Sequence, residues 1–285
     1  MNSVNRRDFI RLSALATAAP GASVAQGKTR ILYVGDSSMT AGTTTAGTNF
    51  FYDDRGVRIV IDAQKILDAW RSNPRLEVSY LTGWDALAKF PETPEALHEF
   101  DVVVLSDVDS DSLVLYPDER TLRAPMGPNR LKSVREYVRL GGALLMIGGY
   151  ASFTGRHNSG NYHGTPVEEA LPVNCLAQDD DRMETPEGVT VDMKESSHPV
   201  TRGIEWNPSP IFNGYNRLEA KKDSKVLATI KETGDPMIVL WKYGSGRSMA
   251  FASDIAPHWG SGFQNWKYYE QFWNQAIEWL ASREV

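Results

Sequence analysis

Polar side chains that could carry acid–base chemistry follow several apolar runs of the sequence, each at the point where the run ends. If the runs are parallel strands, their carboxyl ends meet along one edge of a sheet, where ligands of α/β proteins bind. A carboxylate, a phenol and an imidazole gathered there could exchange protons with a bound ligand. The residues in these positions are Asp36, Ser37, Ser106, Asp107, Gly149, Tyr150, Asp254 and His258.

The triplet Gly35-Asp36-Ser37 allows a second chemistry. A serine after the first strand, with an aspartate and a histidine near the carboxyl terminus, has the outline of an SGNH-type esterase, whose serine attacks an acyl carbon. Those enzymes carry Asp-x-x-His, whereas Asp254 and His258 are one residue farther apart, and no Gly-x-Asn-Asp block for an oxyanion hole is found. A serine hydrolase that uses Ser37 and His258 therefore stands as an alternative.

Two groups of residues have metal-ligand character. Asp107, Asp109 and Asp111 alternate, which suits a hard cation in a loop, but no twelve-residue calcium loop with its glycine follows. His157 and His163 lie in a Gly-rich stretch and could ligate zinc. A lone histidine is more often an ordinary hydrogen-bonded residue. No cofactor is therefore predicted, although the donors leave room for a divalent metal.

Three further residues suggest how a loop could be held or a ligand contacted. Arg182 follows a run of aspartates and is predicted to pair with a carboxylate and pin the loop that contains it. Trp259 and Phe263 stand in a Gly-rich stretch before the last helix. They could either stack on a sugar or pack beneath the loop.

The hydrophobic pattern predicts the scaffold. Strands that are apolar on both faces and alternate with helices indicate a parallel sheet covered on both sides. The predicted fold class is α/β, a three-layer flavodoxin-like arrangement of a mostly parallel sheet with helices on both faces. Helices are predicted over 57–70, 94–99, 129–140 and 266–280, and strands over 30–34, 76–81, 101–105, 143–147, 225–230, 237–241 and 247–252. Residues from about 155 to 216 are predicted to be a long irregular insertion.

The first 25 residues have the features of a twin-arginine (Tat-type) signal peptide. Arg6 and Arg7 precede Phe9 and a short Ala-rich apolar run, and Ser23-Val24-Ala25 is a candidate cleavage site. The apolar run is too short to span a bilayer. The pattern predicts export to the periplasm through the twin-arginine route, with residues 26–285 as the folded domain.

Composition excludes several classes of partner and site. The chain has 285 residues and a net charge of -6, which argues against binding to nucleic acid or to an anionic membrane surface. The expected partner is a small molecule, and the oligomeric state is not indicated. The single cysteine, Cys175, excludes an internal disulfide framework and a cysteine-rich zinc site.

A series of short motifs runs through residues 29–283. These are Gly35-Asp36-Ser37, Phe90-Pro91, Leu105-Ser106-Asp107, Gly141-Gly142, Met146-Ile147-Gly148-Gly149-Tyr150, Leu171-Pro172-Val173, Asp180-Asp181-Arg182-x-Glu184, Gly214-Tyr215-Asn216, Gly234-Asp235-Pro236 and Ser253-Asp254-x-x-Pro257-His258-Trp259. Their order resembles the "Putative glutamine amidotransferase" family, a branch of the class I glutamine amidotransferase-like superfamily that is related in fold to trehalose-utilisation proteins.

The resemblance implies a flavodoxin-like sheet in which the strand 143–147 leads into an elbow, the sharp turn that carries the catalytic cysteine of true amidotransferases. On this sequence Tyr150 occupies the cysteine position, and a phenol with a pKa near 10 is a poor nucleophile for an amide. The His-x-Glu that completes the superfamily triad is also missing. We therefore predict no glutaminase activity and a degenerate active site.

The main hypothesis is an exported domain that binds or processes a small polar ligand, of sugar type by analogy with the trehalose-utilisation proteins. Tyr150 would donate a hydrogen bond or carry a proton, and Asp254 or His258 would act as a general base. Asp36 and Ser37 complete the catalytic candidates. Ligand contacts are expected from Asp107, Gly149, His163, Arg182 and Trp259. A non-catalytic binding module is the remaining alternative.

Overall fold

The computed structural model describes residues 27–46, 51–117, 127–177 and 180–282. The predicted signal peptide lies outside the described residues. The strands are β1 (Thr29–Gly35), β2 (Ser37–Ala46), β3 (Phe51–Ile61), β4 (Leu76–Leu81), β5 (Val102–Ser106), β6 (Ala143–Ile147), β7 (Val173–Cys175), β8 (Arg182–Val189), β9 (Val191–Met193), β10 (Phe212–Asn216), β11 (Leu218–Ala220), β12 (Lys225–Ile230), β13 (Pro236–Tyr243) and β14 (Gly246–Phe251). The helices are α1 (Gln64–Arg71), α2 (Gly83–Lys89), α3 (Pro94–Leu97), α4 (Ser110–Val114), α5 (Arg130–Arg139), α6 (Pro166–Ala170), α7 (Pro257–Gln264) and α8 (Tyr269–Ala281).

An eight-stranded sheet forms the centre, in the order β4-β1-β5-β6-β14-β13-β12-β9. The first five strands of this order are mutually parallel, and the last three add antiparallel pairs at one side. The predicted α/β class and mostly parallel sheet are therefore confirmed. The carboxyl ends of β1, β5, β6 and β14 meet at one edge, which is where the candidate residues are found.

Helices cover the sheet in two groups. Helix α8 packs against β5, β6 and β14 and against α1, while α5 packs against β6 and β14 and against α3, α4 and α6. Every residue of β5 and β6 is buried, because a central parallel strand covered on both sides has no face left for water. This explains the continuous apolar runs of the sequence.

Side-chain caps define where several helices begin. An oxygen of the residue before the helix accepts a backbone N–H of the first turn, which satisfies a donor that the helix leaves open. The capping residues are Thr82, Thr93, Asp109, Asn129 and Thr165. Asp109 accepts the N–H of Ser112 at 2.7 Å. Two of the three alternating aspartates, Asp109 and Asp111, thus belong to the start of α4, whereas Asp107 follows β5.

Two regions differ from the sequence-based assignment. Residues 57–61, predicted as the first turn of a helix, are the last residues of β3, which pairs with β2 in a two-stranded ribbon between β1 and α1. The segment 155–216 is more ordered than a long irregular insertion: it contains α6 and short strands, of which β9 joins the edge of the central sheet. Short alternating strands leave little periodic signal among Gly and Pro residues.

Candidate functional site

Asp36 and Asp107 stand side by side at the ends of β1 and β5. Gly35 and Ser106 are register neighbours, and the N–H of Asp36 donates to the carbonyl of Ser106 at 2.9 Å. Asp36 and Asp107 both have left-handed backbone, with φ of 42° and 45°. Aspartate tolerates this conformation better than most residues, and such strain gathers at functional sites. Two neighbouring strands thus end in the same way and bring two carboxyl groups to one edge.

The surroundings of this pair favour its protonated form. Asp36 is only 2% exposed, and burial, followed by the charge of Asp107, raises its pKa to about 7. The Tyr33 hydroxyl donates to Asp36 Oδ2, while Oδ1 has no partner. Burial also raises the pKa of Asp107, although the N–H of Ala151 donates to its carboxylate. Burial therefore favours the protonated form of both carboxyl groups, and coupled acids of this kind titrate as a unit.

Asp254 and His258 approach the pair from the end of β14 and the start of α7. Asp254 is fully buried; its Oδ1 accepts the N–H of Ala256 at 2.6 Å, and its Oδ2 lies 3.2 Å from His258 Nε2. Burial, with the charges of Asp36 and Asp107, raises the pKa of Asp254 well above its usual range. Burial lowers the pKa of His258. Burial thus favours the neutral form of both groups.

Tyr150 is held by its neighbours over His258. Its ring contacts the ring of His258 edge to face, with centroids 4.7 Å apart, and its hydroxyl donates to Glu184 Oε1 at 3.1 Å. Trp259 Nε1 donates to Glu184 Oε2 at 3.0 Å. Burial and the acceptor Glu184 raise the pKa of Tyr150. The phenol at the position expected for a nucleophile is consequently a stable, hydrogen-bonded neutral group.

Arg182 pairs with carboxylates as predicted. It forms two hydrogen bonds with Asp180, Nε to Oδ1 at 2.9 Å and Nη2 to Oδ2 at 2.7 Å, and a third with Glu184 Oε1 at 3.2 Å. Its guanidinium carbon lies 5.0 Å from the centre of the Tyr150 ring. The side chain is 16% exposed. Arg182 therefore anchors Glu184 and Tyr150, and its hydrogen bonds are committed to the protein.

The turn after β6 lacks two features of a nucleophile elbow. In such an elbow a strained residue connects a strand directly to a helix. Tyr150 does not have left-handed backbone. Residues 151–155 form turns and bends, a short 3-10 helix follows at Arg156–Asn158, and the next α-helix is α6. The strand and the glycine bend of the expected elbow are present, whereas its strained residue and helix are not.

A buried polar network holds this turn in place. Asn216 bonds both backbone groups of Gly149, its Oδ1 accepting the N–H at 2.9 Å and its Nδ2 donating to the carbonyl at 3.1 Å. The same Nδ2 donates to Asp181 Oδ1 at 2.8 Å, and Asp181 also accepts the N–H groups of Thr154 and Gly155. Burial raises the pKa of Asp181 to about 6 despite these donors.

The absence of a side chain at Gly149 lets the Asp107 carboxylate lie close to the turn. A Cβ at Gly149 would lie 2.8 Å from Asp107 Oδ1, so a larger residue would displace the carboxylate. With both of its backbone groups bonded to Asn216, Gly149 positions the acid. The ligand contact expected from this residue stays a prediction.

Two other candidates, Ser37 and His163, make contacts outside the carboxyl-end acids. Ser37 Oγ accepts the N–H of Gly83 at 2.8 Å, and no hydrogen bond joins it to His258 among the described residues. His163 Nδ1 contacts the carbonyl of Cys175 at 2.9 Å and lies 3.5 Å from Glu168, neither of which belongs to the acid site.

Trp259 is 1% exposed, so it packs beneath the surface and orients Glu184. A buried indole has no free face on which a sugar could stack, and a ligand contact from Trp259 is therefore not supported.

Sequence reasoning missed members of the site that have no distinctive local pattern. Asp62 follows the β2–β3 ribbon, its N–H donates to the Asp36 carbonyl at 2.8 Å, and its charge raises the pKa values of Asp36, Asp107 and Asp254. Tyr33 lies inside an apolar strand. Glu184 and Asn216 stood in recognised motifs, Asp180-Asp181-Arg182-x-Glu184 and Gly214-Tyr215-Asn216, and that signal could have identified them.

We call Asp36, Asp107, Tyr150, Glu184, Asp254 and His258 the carboxyl-end cluster. Within the described ranges, no group of three or more His, Cys, Asp or Glu side chains is arranged to hold a metal ion. In the same part of the chain, no helix is long and apolar enough to cross a membrane. The cluster can donate, accept and store protons through its carboxyl groups.

The family model described as "Putative glutamine amidotransferase" matches residues 30–282. Two solved structures, both of cytoplasmic proteins from Salmonella typhimurium, are similar along nearly their whole length. One is 34% identical, covers 89% of this chain and 99% of its own, and has a TM-score of 0.79. The other is 35% identical, covers 90% of this chain and 100% of its own, and has a TM-score of 0.78.

A more distant solved structure shares the fold. A ThuA-like protein from Parabacteroides merdae is 12% identical, covers 90% of this chain and 93% of its own, and has a TM-score of 0.50. This likeness shows that the two proteins share a fold. No functionally curated protein matches the chain.

Proposed function

Because the chain belongs to the "Putative glutamine amidotransferase" family, we propose that it keeps the family fold but does not hydrolyse glutamine. Class I glutaminase chemistry needs an activated thiolate at the end of the strand. Tyr150 stands there instead, bonded to Glu184. The one cysteine, Cys175, is buried in β7, and burial raises its pKa well above its usual range. A buried neutral thiol is not a nucleophile.

The chemistry of the site is instead assigned to the carboxyl groups. The observation that carries this proposal is the pair Asp36 and Asp107, which follow the register neighbours Gly35 and Ser106 and whose pKa values burial raises, that of Asp36 to about 7. A group with a pKa close to the working pH is the most effective proton donor or acceptor. The pair would act as the general acid or base toward a ligand bound at the strand ends.

The ligand is proposed to be a small polar molecule that presents hydroxyl groups, such as a sugar derivative. Carboxylate oxygens accept hydrogen bonds from hydroxyls, and the cluster supplies several of them. Arg182 is committed to Asp180 and Glu184, and His258 is neutral because burial lowers its pKa. The acids of the cluster would repel a strongly anionic ligand. The exposed Arg156, whose guanidinium carbon lies 5.8 Å from the centre of the Tyr150 ring, is the cation at the border of the cluster.

A glutaminase assay tests the first part of the proposal. Purified protein is incubated with L-glutamine at neutral pH, and ammonia and glutamate are measured. The expected rate equals that of a protein-free blank. Glutamine hydrolysis would overturn the proposal, whether it persists in Cys175→Ala or depends on that cysteine.

A thermal-shift screen tests the second part, since a ligand that binds only the folded state raises the melting temperature. Neutral monosaccharides and polyols are compared with matched carboxylates and phosphates. We expect stabilisation by members of the neutral set and its loss in Asp107→Asn. Stabilisation by anions alone would contradict the ligand class, and stabilisation by neither set would favour a non-catalytic module.

The serine-hydrolase alternative lacks the contact that it requires. A catalytic serine and its base must come within hydrogen-bonding reach, whereas Ser37 Oγ accepts the N–H of Gly83 and His258 contacts Asp254, Tyr150 and Trp259. A fluorophosphonate probe is expected to leave Ser37 unlabelled. Labelling that Ser37→Ala abolishes would restore this alternative.

Export through the twin-arginine route is a separate proposal. It is supported by Arg6 and Arg7 before the apolar run, and the family match begins only at residue 30. The two Salmonella relatives are named as cytoplasmic proteins, so the compartment has to be measured for this chain. Cell fractionation should find the protein in the periplasm, and replacing Arg6 and Arg7 with lysines should retain it in the cytoplasm. Equal distributions of the two forms would refute export by this route.

A further inference from the structure

Asp254 has one oxygen whose surroundings do not suit a charge. The side chain is 0% exposed. Oδ1 accepts the N–H of Ala256 at 2.6 Å, but Oδ2 accepts no hydrogen bond from the described chain. His258 Nε2 lies 3.2 Å from this oxygen. A buried carboxylate oxygen without a donor is strongly unfavourable, whereas a carboxylic acid can use the same oxygen as its own donor.

The charged groups around Asp254 also favour its neutral form. Asp36, Asp107 and Asp62 all act on it with negative charge, and no cation opposes them among the interactions recorded for Asp254. On the far side of His258, Glu184 is the charged group that acts on the imidazole. An ionised Asp254 would therefore be a further negative charge in a site that already holds several.

We propose that Asp254 is a neutral carboxylic acid whose Oδ2–H donates to His258 Nε2, so that His258 is held as its Nδ1–H tautomer. The role of Asp254 is then to position a proton on the ring of His258. A neutral imidazole has one donor and one acceptor nitrogen, and the partner of one nitrogen decides the role of the other. With Nε2 accepting from Asp254, Nδ1 must carry the hydrogen.

The ring is well placed to use that hydrogen. His258 is packed between Tyr150 and Trp259, with ring centroids 4.7 and 5.1 Å away, and its side chain remains 37% exposed. Within the described ranges of the chain Nδ1 makes no hydrogen bond, so its N–H can be offered to a bound molecule. This inference rests on the proposed function and deepens it: the ligand would place an oxygen acceptor, a carbonyl, ether or hydroxyl oxygen, against His258. His258 would be a hydrogen-bond donor, and the proton-accepting role would fall to Asp36 and Asp107.

Nitrogen-15 NMR of the imidazole rings tests this assignment on the ligand-free protein. Long-range proton–nitrogen spectra distinguish the two neutral tautomers and the imidazolium, and His258→Gln identifies the signals of His258. At pH 7 we expect the Nδ1–H tautomer in the wild type. Asp254→Asn should keep it, because an amide N–H can donate to Nε2 as the acid does.

Removal of the donor supplies the contrast. Asp254→Ala should shift His258 toward the Nε2–H tautomer that free histidine prefers. An Nε2–H tautomer or an imidazolium in the wild type would overturn the inference, since Asp254 would then be an accepting carboxylate. The wild-type and Asp254→Asn spectra decide the question even if Asp254→Ala does not fold. No ligand or substrate is needed, so this result is independent of the glutaminase and thermal-shift outcomes.

Discussion

Replacement of Asp36 by asparagine should change how the stability of the protein depends on pH. The substitution keeps the size of the side chain and an oxygen that can accept from Tyr33, and asparagine tolerates the left-handed backbone at this position. It removes the ability to ionise. Any pH-dependent difference from the wild type therefore reports on the buried carboxyl group.

The magnitude follows from the pKa of Asp36, which burial raises from 3.8 to about 7. The folded protein binds this proton more tightly than the unfolded chain does. The associated stability is complete below about pH 4 and is lost as the pH rises through about 7. A rise of the pKa by this amount contributes about 4 kcal/mol to the free energy of unfolding. Of this contribution, about 3 kcal/mol is lost between about pH 5 and pH 8.

Urea unfolding at a series of pH values measures this effect. Relative to the wild type, the free energy of unfolding of Asp36→Asn should rise by about 3 kcal/mol between about pH 5 and pH 8. Asp223→Asn, an exposed position before β12, is the matched control and should follow the wild type at every pH. If the curves of Asp36→Asn and the wild type are parallel, Asp36 is ionised throughout, and the acid–base role assigned to it is wrong.

Three further predictions concern the scaffold of the site. Asn216→Ala should lower the free energy of unfolding by about 3 kcal/mol, because it removes a fully buried network; Asn174→Ala, at an exposed position of β7, should change it by less than about 0.5 kcal/mol, and similar losses in urea unfolding would refute the network. A Cβ at Gly214 would overlap Trp259 Nε1, so Gly214→Ala should destabilise the protein by about 2 kcal/mol and shift tryptophan emission to longer wavelength, whereas an unchanged spectrum would contradict this packing. Cys175 should react with a thiol reagent only as the protein unfolds, and rapid labelling of the native protein would show that it is accessible.

The parallel part of the fold was predictable because burial on both faces leaves a continuous apolar signal. The predicted strands 76–81 and 143–147 coincide with β4 and β6, and the helix predicted over 129–140 contains α5. The same rule failed at residues 57–61, where apolar residues that fit a helical stripe belong to the β2–β3 ribbon. Ile59 is 62% exposed there, so its spacing carried no information about burial.

The sequence pattern did not predict helix α7, for a related reason. Its sequence, Pro257-His258-Trp259-Gly260-Ser261-Gly262-Phe263-Gln264, contains two glycines that weaken any helical signal. The structure requires small residues at these positions: a Cβ at Gly262 would lie 2.6 Å from the carbonyl of Ile211. Tertiary packing, which one sequence does not display, overrides propensity here.

The sequence predicted which acidic residues belong to the candidate site better than it predicted the partners of the individual side chains. The rule that strand ends gather ligand-binding residues selected Asp36, Asp107 and Asp254 without any knowledge of distances. It could not distinguish a side chain that points into the site from one committed elsewhere, as Ser37 and His163 are. Those outcomes depend on χ angles and on partners distant in sequence, such as Gly83 and Cys175.

We propose that the coupled carboxyl groups of Asp36 and Asp107 carry the chemistry of a site in which the amidotransferase thiol is missing. Carbon-13 NMR of the aspartate side-chain carboxyl groups, followed from about pH 4 to pH 9 and assigned with Asp36→Asn and Asp107→Asn, tests it most directly. We expect Asp36 to ionise with a midpoint near pH 7 in the wild type, and this midpoint to shift downward in Asp107→Asn, because the charge of Asp107 raises the pKa of Asp36. Complete ionisation of both carboxyl groups below about pH 5 would contradict it.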